Sequence, residues 1–574
     1  MKLQKLTINH FRSIKHIDIN FPANRPVILF GSNNAGKSNI LKAIYCLLGE
    51  KYASYIDFED SDYYLRDKKQ FPNISFKAYF EGNIKNSFPV SSSICFTTNH
   101  KFKHYKTKEE IIESVYHYEN GDQMFLKNEV REQCQFILID ATRDISRQFS
   151  YYSQYSILSR MAKKMHGILV KKTKEKLDEH FKKIKEIFEL VPEYKNFLDK
   201  LQTSFKSNID GFEHRLDIDL SAYDPNNYFN SLRVIAKEGK IIRSFHEFGT
   251  GEQQILLMSF IKAYAETFKK ESFILGIEEP EAHLHPLAQR WLAKNIEAIC
   301  ISGVQVMITT HSPEFLNIEN LKGFVKVYKE DGITKVVQHS AKSFSAKCVE
   351  LGANSDKTTE TTVLLFYKLN TFYDQLKGFF ARKIILVEGP TEFFSIQNYF
   401  SNCNYDLIKN GVEIIDCKGK SQIARNFRLF TAYGYECYCL FDADAGDYEK
   451  KRANQELSSI FKFDPNKMVI DKEKFTTENN MPFGYFGLDY ENYLRANLVD
   501  YSEKEKQFNE GERKVLIAKI ISEENKDYKP SFIIDIANYF KLDKSEQSKN
   551  ELKTKFNEEI SDSTNWENPD DIPF

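Results

Sequence analysis

Ile384-Ile385-Leu386-Val387-Glu388-Gly389-Pro390-Thr391-Glu392 sets the fold of the C-terminal half: an apolar strand ends in one carboxylate, and a second falls in the first turn after it. Cys439-Leu440-Phe441-Asp442-Ala443-Asp444 repeats the arrangement, an apolar run that stops at two carboxylates one residue apart. Between them Val412 to Cys417 is a third apolar strand, Lys418-Gly419-Lys420 follows it, and Gln422 to Tyr433 suits a crossover helix. Strands alternating with helices predict a parallel sheet whose site lies at the carboxyl ends of the strands. Carboxylates gathered there repel one another unless a cation sits among them. Hard Mg2+, with Mn2+ as the alternative, prefers oxygen ligands of this kind. The predicted metal ligands are Glu388, Glu392, Asp442 and Asp444.

The N-terminal half carries a different apparatus. Leu3, Leu6 and Ile8 begin an apolar strand, Ile17, Ile19 and Phe21 alternate, and Val27 to Phe30 is a short apolar run. That run leads into Gly31-Ser32-Asn33-Asn34-Ala35-Gly36-Lys37-Ser38, and Asn39 to Leu48 continues as a helix. A strand, a glycine-rich loop with Lys-Ser and a helix, in that order, form the setting a phosphate-binding P-loop requires. Its glycines let backbone N–H groups wrap the phosphates, Lys37 offers a charge to the terminal phosphates, and the Ser38 hydroxyl ligates Mg2+. Phe273 to Ile277 is a buried strand ending in Glu278 and Glu279, where one carboxylate holds Mg2+ and the next orients the attacking water. Val304 to Ile308 delivers Thr309, Thr310 and His311 to its end, and His311 is the expected sensor of the terminal phosphate.

At 574 residues the chain needs several cores. Hydrophobic residues at 41% and charged residues at 28% are those of an ordinary globular chain, so a disordered or fibrous protein is excluded. A formal net charge of -1 means that any nucleic-acid contact comes from local patches. No run approaches eighteen apolar residues and the N-terminus lacks a signal-peptide profile, so a cytoplasmic location without a membrane anchor is expected. The nine cysteines show no zinc spacing, and no disulfides are expected. Leu158 to about Phe205 places Ile168, Leu169, Leu177, Phe181, Ile184, Ile187, Phe188 and Leu190 at helical spacing, the pattern of a helical hairpin that dimerises the protein. Lys163, Lys164, Lys171, Lys172, Lys174 and Lys176 read as its solvated face, with DNA phosphates as the other reading. The acidic segment from Glu551 reads as a solvated tail.

Phe11-Arg12-Ser13-Ile14, the P-loop, Glu278-Glu279-Pro280-Glu281-Ala282-His283-Leu284-His285-Pro286 and Thr310-His311-Ser312-Pro313 together resemble ABC-type ATPases of the SMC, Rad50 and RecF kind. The resemblance implies nucleotide contacts from Arg12, Gly31, Asn33, Asn34, Gly36, Lys37, Ser38, Asn39, Glu278 and His311, with Glu279 catalytic. It also implies a signature segment that closes over nucleotide bound to a second subunit. Phe248-Gly249-Thr250-Gly251-Glu252-Gln253-Gln254 is its counterpart, through Thr250 and Gly251, although the usual serine is missing.

The second half resembles the Rossmann-like Toprim fold, and an ABC-type ATPase followed by Toprim resembles the OLD (overcoming lysogenisation defect) nucleases, a family with Gabija-type and retron-associated effectors. The α/β division this implies is 1–152 and 216–340 for the ATPase, 153–215 for the helical insertion, 341–380 for a helical connector, 381–535 for Toprim and 536–574 for the tail. By the same resemblance Glu388 and Asp442 are catalytic, Glu388, Glu392, Asp442 and Asp444 bind metal, and Asp489 and Glu491 supply a further acidic motif. A late lysine near the scissile phosphate is assigned to Lys529, with Lys526 as rival. The implied activity is an ATP-regulated, two-metal DNA endonuclease using ATP and Mg2+ or Mn2+. Its implied partners are DNA, further copies of itself as dimer or tetramer, and a defence component such as a helicase or a retron reverse transcriptase with its DNA. The alternatives are a RecF-like DNA-binding ATPase without nuclease activity and a topoisomerase- or primase-like enzyme.

Overall fold

The computed structural model describes, with short breaks, residues 2–139, scattered positions from 158 to 190, and then 191–208, 235–267 and 273–544. The lysine-rich part of the predicted hairpin and the acidic tail lie outside the described residues. The described chain forms two compact units, Met1–Ile28 with Ser38–Phe315 and Leu29–Lys37 with Leu316–Phe574.

In the first unit, β1 (Lys2–Phe11) and β2 (Ile14–Asn20) pair antiparallel, with Leu6 opposite Ile19 and Ile8 opposite Ile17. Those pairs put one apolar face inward, as the alternation predicts. β3 (Val27–Phe30) follows, and β4 (Ser75–Glu81), β5 (Ser93–Phe102) and β6 (Glu110–His117) complete an antiparallel sheet in the order β2-β1-β4-β5-β6. A second layer is parallel, as expected for strands buried on both faces. In it β10 (Ile274–Glu278) lies between β7 (Phe136–Ile139) and β11 (Gln305–Thr309), after a separate hairpin of β8 (Ile235–Glu238) and β9 (Ile241–Ser244). The register sets Glu278 beside Thr309, so the acidic end of one strand and the Thr-Thr-His end of the other share an edge.

The second unit holds the P-loop because that loop packs on a hairpin of β12 (Phe324–Glu330) and β13 (Ile333–Gln338). A Cβ on Gly31 would stand 2.0 Å from the Val327 carbonyl oxygen, and one on Gly36 would stand 2.3 Å from Thr334 Oγ1. Phe30 sits in an aromatic cluster with Phe324, Phe379 and Tyr433, at ring separations of 5.6, 5.3 and 6.1 Å. Helices Ala341–Glu350 and Glu360–Asn370 follow, both opened by Ser or Thr caps.

Beyond the connector, β14 (Lys383–Val387), β15 (Val412–Asp416), β16 (Glu436–Asp442), β17 (Phe475–Thr477) and β18 (Phe483–Phe486) form a sheet in the order β15-β14-β16-β18-β17. All neighbours are parallel except the β17–β18 pair. Ile385 and Val387 enter one core with Tyr399, Phe400, Phe486, Phe532 and Ile536, which come from the sheet and from helices Pro390–Asn402 and Ser531–Phe540. Helix Lys420–Ala432 packs on β14 and β16 and contributes buried Ile423, Leu429 and Phe430. Each large apolar side chain so enclosed contributes about 1.5–3 kcal/mol. That burial holds the strand ends rigid beneath the acidic residues.

Candidate metal centre and nucleotide-binding elements

β14 and β16 run parallel with Leu386 level with Cys439, so both carboxyl ends come to one edge of the sheet. Glu388, Asp442 and Asp444 offer carboxylate oxygens that all lie within 4.8 Å of one another. Two further acids join them. Glu392, 5% exposed, is the third residue of its helix and accepts a hydrogen bond from the Gly389 N–H at 3.2 Å. Glu491 accepts one from the Thr391 hydroxyl at 3.4 Å, and its charge is felt at both Glu392 and Asp442.

Burial is the first cause that pushes the Glu392 carboxyl up to about 8, and Glu388 and Glu491 add to it. The Asp442 carboxyl rises well above its usual range, again through burial first and then through Glu392, Glu388, Asp444 and Glu491. Asp442 Oδ1 is buried without a protein hydrogen-bond partner. A donor set made only of oxygen, in which burial and crowding raise Glu392 and Asp442, fits a hard divalent cation such as Mg2+ or Mn2+.

The surrounding loops explain how the acids are held. Asp444 takes a left-handed φ of +47°. The turn is held by the Ala443 N–H donating to Phe486 O (2.8 Å), Asp444 N–H to Leu488 O (3.1 Å) and Asn454 Nδ2 to Ala443 O (2.9 Å). After β15, Gly419 adopts φ +116° and its N–H donates to the Glu388 carbonyl at 2.7 Å. Lys420, 4% exposed, donates from Nζ to the Asp442 carbonyl and, at 3.3 Å, to Asp444 Oδ2. The sequence reading passed over Lys420. A lysine in a polar loop carries no local sign that it will turn inward.

Asp489 caps helix Tyr490–Asn497, its two oxygens accepting at 2.6 Å from the Asn492 amide N–H and side-chain nitrogen. Its pairing with Asn492 three residues on was a visible capping signature. The charge of Lys529 is felt at Cys403, which follows helix Pro390–Asn402. Lys526 follows the same segment, since Asn402 Nδ2 donates to the Asn525 carbonyl at 3.2 Å. Lys514 is the late lysine that reaches the acids, 3.9 Å from Glu491 Oε1.

In the second unit Lys37 is 7% exposed and donates to the Gly31 and Ser32 carbonyls, both at 3.0 Å, while Lys329 reaches Asn34 Oδ1 at 3.2 Å. Gly31 and Gly36 have φ of +139° and +109°, so the loop needs glycine at both. In the first unit, helix Lys37–Leu48 carries Ser38 and Asn39 in its first turn, and Arg12 donates to Asp62 (2.9 Å) and to Asn39 Oδ1 (3.2 Å). Glu278 ends β10, and Glu279 follows with φ +44° and its N–H bonded to Thr309 O at 2.9 Å. His311 Nε2 lies 3.8 Å from Glu279 Oε1, and the His311 N–H donates to Glu281 at 2.6 Å. Thr250 and Gly251 open helix Thr250–Thr267. Gly251 packs near Leu284 and His283.

Fold and site define the class: a P-loop ATPase joined to a Toprim domain with an acidic metal centre. A model of the AAA ATPase domain matches residues 1–71 and 50–316, together more than half of the chain, and a model described as "Overcoming lysogenization defect protein-like, TOPRIM domain" matches 379–444. The chain is 24% identical over 477 residues to the OLD nuclease of Thermus scotoductus, covering 79% of this chain and 84% of the relative. Against the Old nuclease of Escherichia phage P2 it is 25% identical over 475 residues, 77% of each chain. With Endonuclease GajA of Bacillus cereus it shares 25% identity over 258 residues, 41% of this chain and 36% of that one. The chain belongs to the AAA ATPase family with an OLD-like Toprim domain, the architecture of the OLD family.

Proposed function

We propose that this protein is an ATP-regulated, metal-dependent DNA endonuclease. The observation that carries the proposal is the convergence of Glu388, Asp442 and Asp444 within 4.8 Å at the carboxyl edge of a parallel sheet. Glu388, Glu392, Asp442, Asp444 and Glu491 hold one or two divalent ions, Mg2+ or Mn2+. Bound there, such ions supply an activated water and offset charge on the leaving oxygen of a phosphodiester. The chain's own residues set that chemistry up. Burial raises the proton affinity of Glu392 and Asp442, and the strand ends fix their spacing. Lys514 stands at the rim with a charge for a neighbouring phosphate, the part first expected of Lys529.

For the ATPase, Gly31, Asn33, Asn34, Gly36 and Lys37 wrap the phosphates, Ser38 and Glu278 hold Mg2+, and Arg12 and Asn39 line the approach. Glu279 orients water against the terminal phosphate, and His311, close to it, senses that phosphate. Thr250 and Gly251 act on nucleotide held by a second copy. A dimer or tetramer is supported by the exposed apolar residues Ile187, Leu190, Val191 and Phe197 on the insertion, of which Leu190 is 80% exposed. Family likeness further supports a bacterial antiviral role in the cytoplasm alongside a partner such as a helicase or a retron reverse transcriptase. Among the described residues no helix is long and apolar enough to cross a membrane.

Cleavage of supercoiled plasmid by wild type, Lys37→Ala and Glu388→Ala, with and without ATP, tests the proposal. Loss of cutting in Glu388→Ala with ATP binding retained supports it. Lys37→Ala should abolish only the ATP dependence. Cutting that survives Glu388→Ala would refute the assignment of the site.

A further inference from the structure

Lys420 is the first residue of its helix, and its ammonium points into the acidic cluster and not toward solvent, the side chain being 3% exposed. Two contacts define what it does. It donates to the backbone carbonyl of Asp442 and, at 3.3 Å, to the Oδ2 atom of Asp444. The carbonyl belongs to the main chain of the Asp442-Ala443-Asp444 turn. The carboxylate oxygen belongs to one of the three acids whose oxygens converge. Asp444 stands in a left-handed conformation that a non-glycine residue adopts only when its surroundings enforce it. Asn454 holds the same turn through the Ala443 carbonyl.

We propose that Lys420 is the positioning residue of the metal centre: by bridging the Asp442 carbonyl to Asp444 Oδ2 it fixes the Asp-Ala-Asp turn and with it the Asp444 carboxylate beside Glu388 and Asp442. The inference rests on reading that cluster as the metal site of a nuclease. Partners that orient metal ligands are worth about 10- to 100-fold in metal affinity, because an unheld ligand must be ordered when the ion arrives. A lysine beside a cation site also repels the ion, an effect of opposite sign. The two roles are therefore separable by the direction in which affinity moves. The main-chain contact, which simple repulsion does not call for, favours the holding role.

The test is Mn2+ binding to the full chain without nucleotide or DNA, followed by the free-ion paramagnetic resonance signal. Asp442→Ala serves as the blank that defines binding at this site. Lys420→Met, close in length and apolar, is compared with wild type, Asp444→Asn and the double variant, and thermal unfolding and ATP binding report folding. Lys420→Met is expected to weaken Mn2+ binding by roughly tenfold or more. Adding it to Asp444→Asn should cost little further, because the lysine acts through that carboxylate. Excess Mn2+ should restore plasmid cleavage by Lys420→Met. Unchanged or tighter Mn2+ binding in a folded Lys420→Met protein overturns the inference while leaving the nuclease reading intact. Equal losses on both Asp444 backgrounds overturn it also. Should Lys420→Met not fold, Asp444→Asn in place of the lysine change must by itself weaken binding to a similar degree, and failure to do so overturns the proposal. Wild type that binds no more Mn2+ than the Asp442→Ala blank overturns both.

Discussion

The Glu392 carboxylate accepts the N–H of Gly389 at 3.2 Å, so one acid of the metal centre also ties down the first turn of its own helix. That bond favours the ionised form. Burial and the neighbouring Glu388 and Glu491 oppose it strongly enough to push the group up to about 8 from an ordinary 4.5. Because the folded value lies above the unfolded one, the native state binds the extra proton between those limits. In chelator-treated protein this stabilising contribution is full below about pH 4.5 and is lost as pH rises through 8. Thermal unfolding at pH 5, 6.5 and 8 should show the decline, Glu392→Gln should flatten it, and Mn2+ should offset it. A Glu392→Gln protein with the wild-type slope would assign the effect elsewhere.

Asp442 and Glu279 serve different reactions in this account. Asp442→Ala should reduce plasmid cleavage by about a thousandfold or more, within the range single catalytic groups contribute, and leave ATP turnover near the native rate. Glu279→Gln should slow ATP hydrolysis by about 10²-fold while nucleotide still binds, in keeping with loss of a water-positioning group. Both rates measured on both variants decide the matter, and a shared loss would indicate a folding defect.

Gly36 has no room for a side chain. A Cβ there meets Thr334 Oγ1 at 2.3 Å, and φ is +109°. Gly36→Ala should lower stability by about 1–3 kcal/mol and weaken nucleotide binding. Thr334→Gly in the same chain should relieve the clash but leave the backbone strain, so rescue should be partial. Complete rescue would mean that the φ constraint contributes nothing.

Lys514 and Lys529 provide a paired comparison. Lys514 lies 3.9 Å from Glu491, whereas the charge of Lys529 is felt at Cys403. Lys529→Ala should cleave within about twofold of wild type, as exposed substitutions away from a site commonly do. Lys514→Ala should lose about tenfold or more in kcat, the lower part of the range for a charge acting on a phosphate. The reverse ranking would restore the assignment made from sequence.

What could be read in the sequence and what could not divides along physical lines. Apolar runs that end in acids have a strong period and clear ends, so β14 and β16 lie where Ile384 to Val387 and Cys439 to Phe441 placed them, with Asp442 the last residue of β16 and Glu388 and Asp444 just past the strand ends. The P-loop was equally clear because strand, glycines and helix must occur in fixed order, and β3 spans Val27–Phe30 as expected. Lone charged residues carry no such period. Lys529 was chosen by its place in the chain, and Lys514, 3.9 Å from Glu491, carries no local sign of that approach. Lys420 was missed for the converse reason, since its burial depends on the turn after β16, which is distant in sequence. The packing of residues 29–37 with the β12–β13 hairpin likewise depends on contacts across about 300 positions, such as Thr334 with Ala35.

The most direct test is a Mn2+ titration of supercoiled-plasmid cleavage by wild type and Asp442→Asn side by side, with ATP binding measured on both. The account predicts saturable, metal-dependent cutting by wild type and none by Asp442→Asn at any Mn2+ concentration, with equal ATP affinity. Equal cutting by the two proteins would contradict it, and absence of cutting by either would favour a DNA-binding ATPase in which the acids serve another purpose.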